Sequence, residues 1–228
     1  MRTIAVILIA MAFAPATVDA KCARMGQRPI VLTPDVTVPA GSEGGIVIGT
    51  EAIGWDQDDE GQAEKAPWGF ITGDDLEQAK VTPLAPGLIV LTTQQPGTGG
   101  ERELGTKKAV IRWGKDKVPL LAAPKVRAVT YKVVPGMRGT NERTMIELSA
   151  DPPAGAVAVI LADAKTGKAR TWAKAEGRSI AADETRRCAP MPDGTIRSKP
   201  GDKVTVRWVD KHGRLSPPSG TIVVAALR

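Results

Sequence analysis

Residues 203–225, KVTVRWVDKHGRLSPPSGTIVVA, decide the fold class. Val204, Val206 and Trp208 alternate with Thr205, Arg207 and Val209 at the two-residue period of a half-buried strand, and residues 221–224 form a second β-branched run. Asp210, Lys211, His212 and Gly213 make the joint between them. Asp at the first turn position accepts a backbone hydrogen bond, and Gly at the fourth tolerates positive φ. Pro217 and Pro218 keep the returning strand at an edge, where missing N–H donors cost little. The chain is therefore read as a sheet protein.

Outward from that stretch, the N-terminal residues point to a compartment. Met1 and Arg2 precede the apolar run 4–14, and Val18 and Ala20 stand where a signal peptidase reads small residues. Residues 1–20 are expected to be a cleaved secretory signal, because the apolar run is about half the ~20 residues a spanning helix needs. Lys21 ahead of Cys22 argues against lipidation there. The product is expected to be secreted or periplasmic, with no membrane span in the mature chain. Its two cysteines, Cys22 and Cys188, are expected to pair in an oxidising compartment. Such a bond ties the mature N-terminus to the C-terminal half.

The remaining residues carry short strand candidates about every ten positions and no apolar period of 3.6. They are 45–50 (GIVIGT), 67–72 (PWGFIT), 78–82 (QAKVT), 87–93 (GLIVLTT) and 108–113 (KAVIRW), each bounded by Gly, Pro or Asp. Pro29, Pro34 and Pro39 suit an extended entry segment over 22–44, and 74–78 has room for one helical turn. LLAAPK places a boundary near Pro124. Beyond it come candidates at 127–134, 143–150, 156–162, 168–174 and 177–181, then the opening pair. Residues 156–162 are apolar on both faces, which predicts a central strand covered on both sides. The expected architecture is all-β, with two immunoglobulin-like β-sandwich domains in tandem over 21–124 and 125–228.

Residues 206–219, VRWVDKHGRLSPPS, resemble the last two strands of fibronectin type III domains, where an alternating strand ends in a polar turn with Gly and a Ser-Pro-Pro-Ser cluster starts the final strand. Asp151-Pro152-Pro153 ahead of a strand is similar to the connection between that family's second and third strands. The resemblance covers the C-terminal half, and a related immunoglobulin-like topology fits it nearly as well. It implies a spacer or binding module.

Charge divides unevenly. Residues 21–124 hold 11 Lys and Arg against 14 Asp and Glu, and 125–228 hold 19 against 10. An acidic half and a basic half favour mutual docking, or a basic face turned to an anionic partner, beside the plainer reading of a solvated surface.

Three constellations bear on chemistry. Asp56, Asp58 and Glu60 followed by Gly61 resemble the start of an EF-hand calcium loop, but Pro67 stands where a bidentate Glu belongs. An exposed acidic loop is the favoured reading, with a looser calcium site the other. Arg170, Trp172 and Lys174 share one strand face, a candidate ligand-binding surface for sugar, carboxylate or phosphate, or else a Trp packed over its own sheet with snorkelling cations. The only histidine, His212, sits in a turn and is read as a turn residue rather than an active-site base.

The expectation is an exported, non-enzymatic binding or structural module of the cell envelope or periplasm. It mediates contact with a protein partner, or with an anionic glycan, and needs neither nucleic acid nor cofactor. The alternatives are a calcium-stabilised adhesin or glycan-binding module, and a carboxylate-pair hydrolase using Asp56, Asp58, Asp74 or Asp75.

Overall fold

The computed structural model describes residues 27–52, 69–72, 75–105, 109–115, 119–136, 139–184 and 194–227. Every element in them is a β-strand, and no helix among the described residues is long and apolar enough to cross a membrane. Four sheets result, and none mixes strands from before and after Pro124.

The first half contains β1 (Gln27–Val31), β2 (Asp35–Pro39), β3 (Gly45–Ala52), β4 (Gly69–Thr72), β5 (Asp75–Gln78), β6 (Lys80–Ala85), β7 (Leu88–Thr92), β8 (Glu101–Leu104) and β9 (Val110–Gly114). One sheet has the order β1-β3-β7-β6, the other β2-β9-β8-β4-β5, with β2 parallel to β9 and all other pairs antiparallel. Period-two alternation sends Val36 and Val38 of β2, Ile46 and Ile48 of β3, and Ile111 and Trp113 of β9 into one shared core. Trp113 closes that core at one end: Gly97 lies under its ring, Arg102 sits 5.3 Å from the ring centroid, and its Nε1 donates to the Ser42 carbonyl at 2.9 Å.

The second half contains β10 (Val126–Gly136), β11 (Gly139–Leu148), β12 (Ala156–Asp163), β13 (Ala169–Lys174), β14 (Ser179–Glu184), β15 (Lys203–Asp210), β16 (Ile222–Val223) and β17 (Ala225–Ala226). Its sheets are ordered β14-β11-β10-β17 and β13-β12-β15-β16. Val129, Ile146, Val159, Leu161, Val204, Val206 and Trp208 fill the space between them.

Residues 203–225 explain how the last strand is held despite two prolines. The Ser216 N–H donates to the Trp208 carbonyl and the Ser216 Oγ accepts from the Trp208 N–H, both at 3.0 Å. Ser219 does the same for Val206, at 2.8 and 3.0 Å. The two buried serines thus supply, with backbone and hydroxyl, the bonds that Pro217 and Pro218 cannot. After Gly220 the chain pairs with β15 only through Ile222 and Val223; it then crosses at buried Val224 to lie beside β10 in the other sheet.

Four details differ from the sequence expectation. Residues 75–78 are strand rather than helical turn, since Asp75 to Gln78 pair antiparallel with β4. The candidate at 78–82 is two strands in different sheets, divided at Ala79, whose small side chain is buried where the chain crosses over. The entry segment is extended and at sheet edges as expected, but it is divided into two strands, β1 and β2, in different sheets. β8 has Leu104 as its one large apolar residue, so its sequence carries little strand pattern. Cys22 and Cys188, with the pairing expected of them, lie outside the described residues, as does the signal segment.

Candidate functional site

A third apolar cluster lies between the two halves and is built from the outer faces of two sheets. On β3, Gly45, Val47 and Gly49 alternate with the first-core residues Ile46 and Ile48. Their β7 partners are Thr92, Val90 and Leu88. On the other side β12 turns Ala158, Ile160 and Ala162 outward while Val159 and Leu161 serve the second core. Val47, Leu88 and Val90 join Ala158, Ile160, Ala162 and Val209 in one buried group, with Trp172 and Leu215 packed against it. This matches the expectation that 156–162 is covered on both faces: the other sheet of the second half covers one, and the first half covers the other.

The two glycines of β3 set the closeness of the fit. A Cβ at Gly49 would stand 2.3 Å from Cη2 of Trp172, and one at Gly45 would stand 2.9 Å from the His212 carbonyl oxygen. Glycine in a strand interior is disfavoured unless another group approaches the backbone closely, and here two groups do. Gly213 has a second reason to be glycine: its φ is +77°, and a Cβ there would stand 2.3 Å from Cγ2 of Val90.

Arg170, Trp172 and Lys174 are brought to this same sheet, on β13, which pairs with β12 through Ile160↔Trp172. Trp172 is half-buried, its ring edge on Gly49. The Arg170 guanidinium is held between two carboxylates, donating to Asp163 Oδ2 at 2.7 Å and to Asp202 Oδ2. Asp163 also accepts from the Thr166 N–H at 2.9 Å, the Thr166 hydroxyl at 3.0 Å and the Lys165 N–H at 3.0 Å. The Arg170 hydrogen bond, followed by those from Thr166, holds the Asp163 carboxyl well below the usual carboxylate range. The Asp202 carboxyl is lowered too, first by the Lys199 N–H bond. Arg170 therefore ties the β12–β13 turn to the start of β15.

His212 caps the opposite end of the contact. Asp210, buried, accepts from the backbone N–H groups of His212 and Arg214 at 2.9 Å each, and its Oδ2 accepts from Arg214 Nε at 2.7 Å. Arg214 Nη2 reaches the Pro119 carbonyl at 3.0 Å, linking this turn to the segment between the halves. Both His212 ring nitrogens are buried and without a hydrogen-bond partner among the described residues. Burial pushes the His212 imidazole below its ordinary pKa.

Asp56, Asp58, Glu60 and Asp74 lie outside the described residues, and Asp75 begins β5. Among the described residues no group of three or more His, Cys, Asp or Glu side chains is arranged to hold a metal ion. Sequence reasoning missed Gly45 and Gly49; their signal was two glycines four positions apart in an otherwise apolar strand. In comparison with known proteins, the chain matches no family model and no curated protein.

Proposed function

We infer that the chain is an exported, non-enzymatic module of the cell envelope or periplasm, built of two immunoglobulin-like β-sandwiches in tandem and mediating protein–protein contact. Strand order is the observation that carries this reading. Lettered in chain order, the second half runs E-B-A in one sheet and C′-C-F-G in the other, with the final strand divided between them. The first half runs A-B-E-D and A′-G-F-C-C′. The serine-bridged Pro-Pro segment adds support for a fibronectin type III kind of second domain. By fold-level analogy, tandem sandwiches of this architecture supply spacing and binding surface, which favours contact over catalysis.

The test is in situ crosslinking of the mature chain followed by purification and mass spectrometry. Recovery of one stoichiometric protein partner supports the inference, and recovery of polysaccharide alone overturns it.

A further inference from the structure

We propose that the contact between the two halves is an acid-sensitive joint, in which protonation of His212 unseats the 210–214 turn from β3 and β7 and uncovers the apolar faces of β3 and β12.

Geometry makes the turn a seat. The His212 carbonyl lies where a Cβ of Gly45 would meet it, and the Gly213 backbone lies against Val90. The imidazole is part of that closed turn, and among the described residues its two buried nitrogens have no hydrogen-bond partner. A neutral imidazole without partners costs little compared with a charged one in the same place, because an unpaired buried cation is far more expensive than an unpaired buried dipole.

Among the described residues no acceptor stands ready for the new N–H. Around the ring the charged groups are Asp210, Lys211 and Arg214, all from its own loop. The β3 and β7 residues against this turn are Gly45, next to the His212 carbonyl, and Val90, next to Gly213, and neither titrates. Asp210 is the one anion among them, and its two oxygens are already engaged by the His212 and Arg214 N–H groups and the Arg214 guanidinium. Lys211 and Arg214 repel a second positive charge. A protonated His212 is therefore accommodated by turning the loop out to water, and the loop cannot turn out without lifting from Gly45 and Val90.

The sign follows from linkage. The folded-state pKa is lowered, so the joint is fully seated above the unfolded value of about 6.5, and the seating is lost as pH falls through the folded value.

Because His212 is the chain's one histidine, its ring-proton resonance is assigned without mutagenesis in a mature protein carrying no histidine tag. The experiment follows that resonance and the Gly45 and Gly49 amides by NMR from about pH 8 to about pH 4.5. The expected result is a ring midpoint below about 6.5, with both amides moving at the same midpoint. A ring midpoint at or above that value, or amides that stay fixed while the ring titrates, overturns the proposal. A second measurement compares melting temperatures of the wild type and His212→Gln at about pH 7.5 and about pH 5. The drop on acidification is expected to shrink in the variant; an equal drop in both proteins overturns the proposal.

Discussion

The ring edge of Trp172 rests on the α-carbon of Gly49, so that a side chain as small as alanine at Gly49 would stand 2.3 Å from the indole. One residue belongs to the second half and the other to the first, and each is shaped for the other. The strand face carrying Arg170, Trp172 and Lys174 thus has its indole engaged within the same molecule.

Gly49→Val is expected to lift Trp172 and loosen the contact between the halves, at a cost of about 1–3 kcal/mol typical of overpacking. Calorimetry checks it: a single unfolding transition in the wild type should divide into two in the variant. An unchanged single transition would speak against the packing described.

Much of the fold was legible because its strands follow the simplest rule. Alternation at 203–209 and the two-sided apolar run at 156–162 depend only on which faces are covered. Elements without apolar alternation stayed hidden: β8 is Glu-Arg-Glu-Leu, and β5 begins with Asp75, so tertiary pairing decides both. The candidate site was half legible. Trp172 stood out as a strand aromatic flanked by cations, but nothing local says whether such a face meets a ligand or another part of its own chain. Gly45 and Gly49, which hold the answer, lie within the 45–50 strand candidate with no local sign of what approaches them.

Ser216→Ala and Ser219→Ala should each destabilise the protein by about 1–3 kcal/mol, because each leaves a buried N–H of β15 without its acceptor. The measurement is the denaturant midpoint at constant m-value. Serine-to-threonine changes, which keep the hydroxyl, should recover part of the loss if the site admits the extra methyl. A midpoint that neither alanine moves would mean the hydroxyls are not the partners of those N–H groups.

Arg170→Met should alter the acid limb of stability. The Asp163 and Asp202 carboxyls are lowered in the folded protein, so their contribution is present above the unfolded value of about 3.9 and is lost as pH falls through the folded values. Melting temperature against pH is the check. Below about pH 4 the wild type should lose stability more steeply than the variant. Parallel curves would show that Arg170 does not set those carboxyls.

A bond between Cys22 and Cys188, which the proposed export implies, would close a long loop and restrain the unfolded state by up to about 4–5 kcal/mol. Alkylated protein should change mobility on a non-reducing gel after reduction, and its melting temperature should fall. Equal mobility in the two states would leave both thiols unpaired.

The most direct measurement is the nuclear Overhauser contact between the Trp172 ring proton on Cη2 and the α-protons of Gly49, in the mature chain near pH 7.5. A strong cross-peak is predicted, since the halves meet with the indole seated on that glycine. Absence of the cross-peak, with the Trp172 ring open to a soluble relaxation agent, would contradict the account.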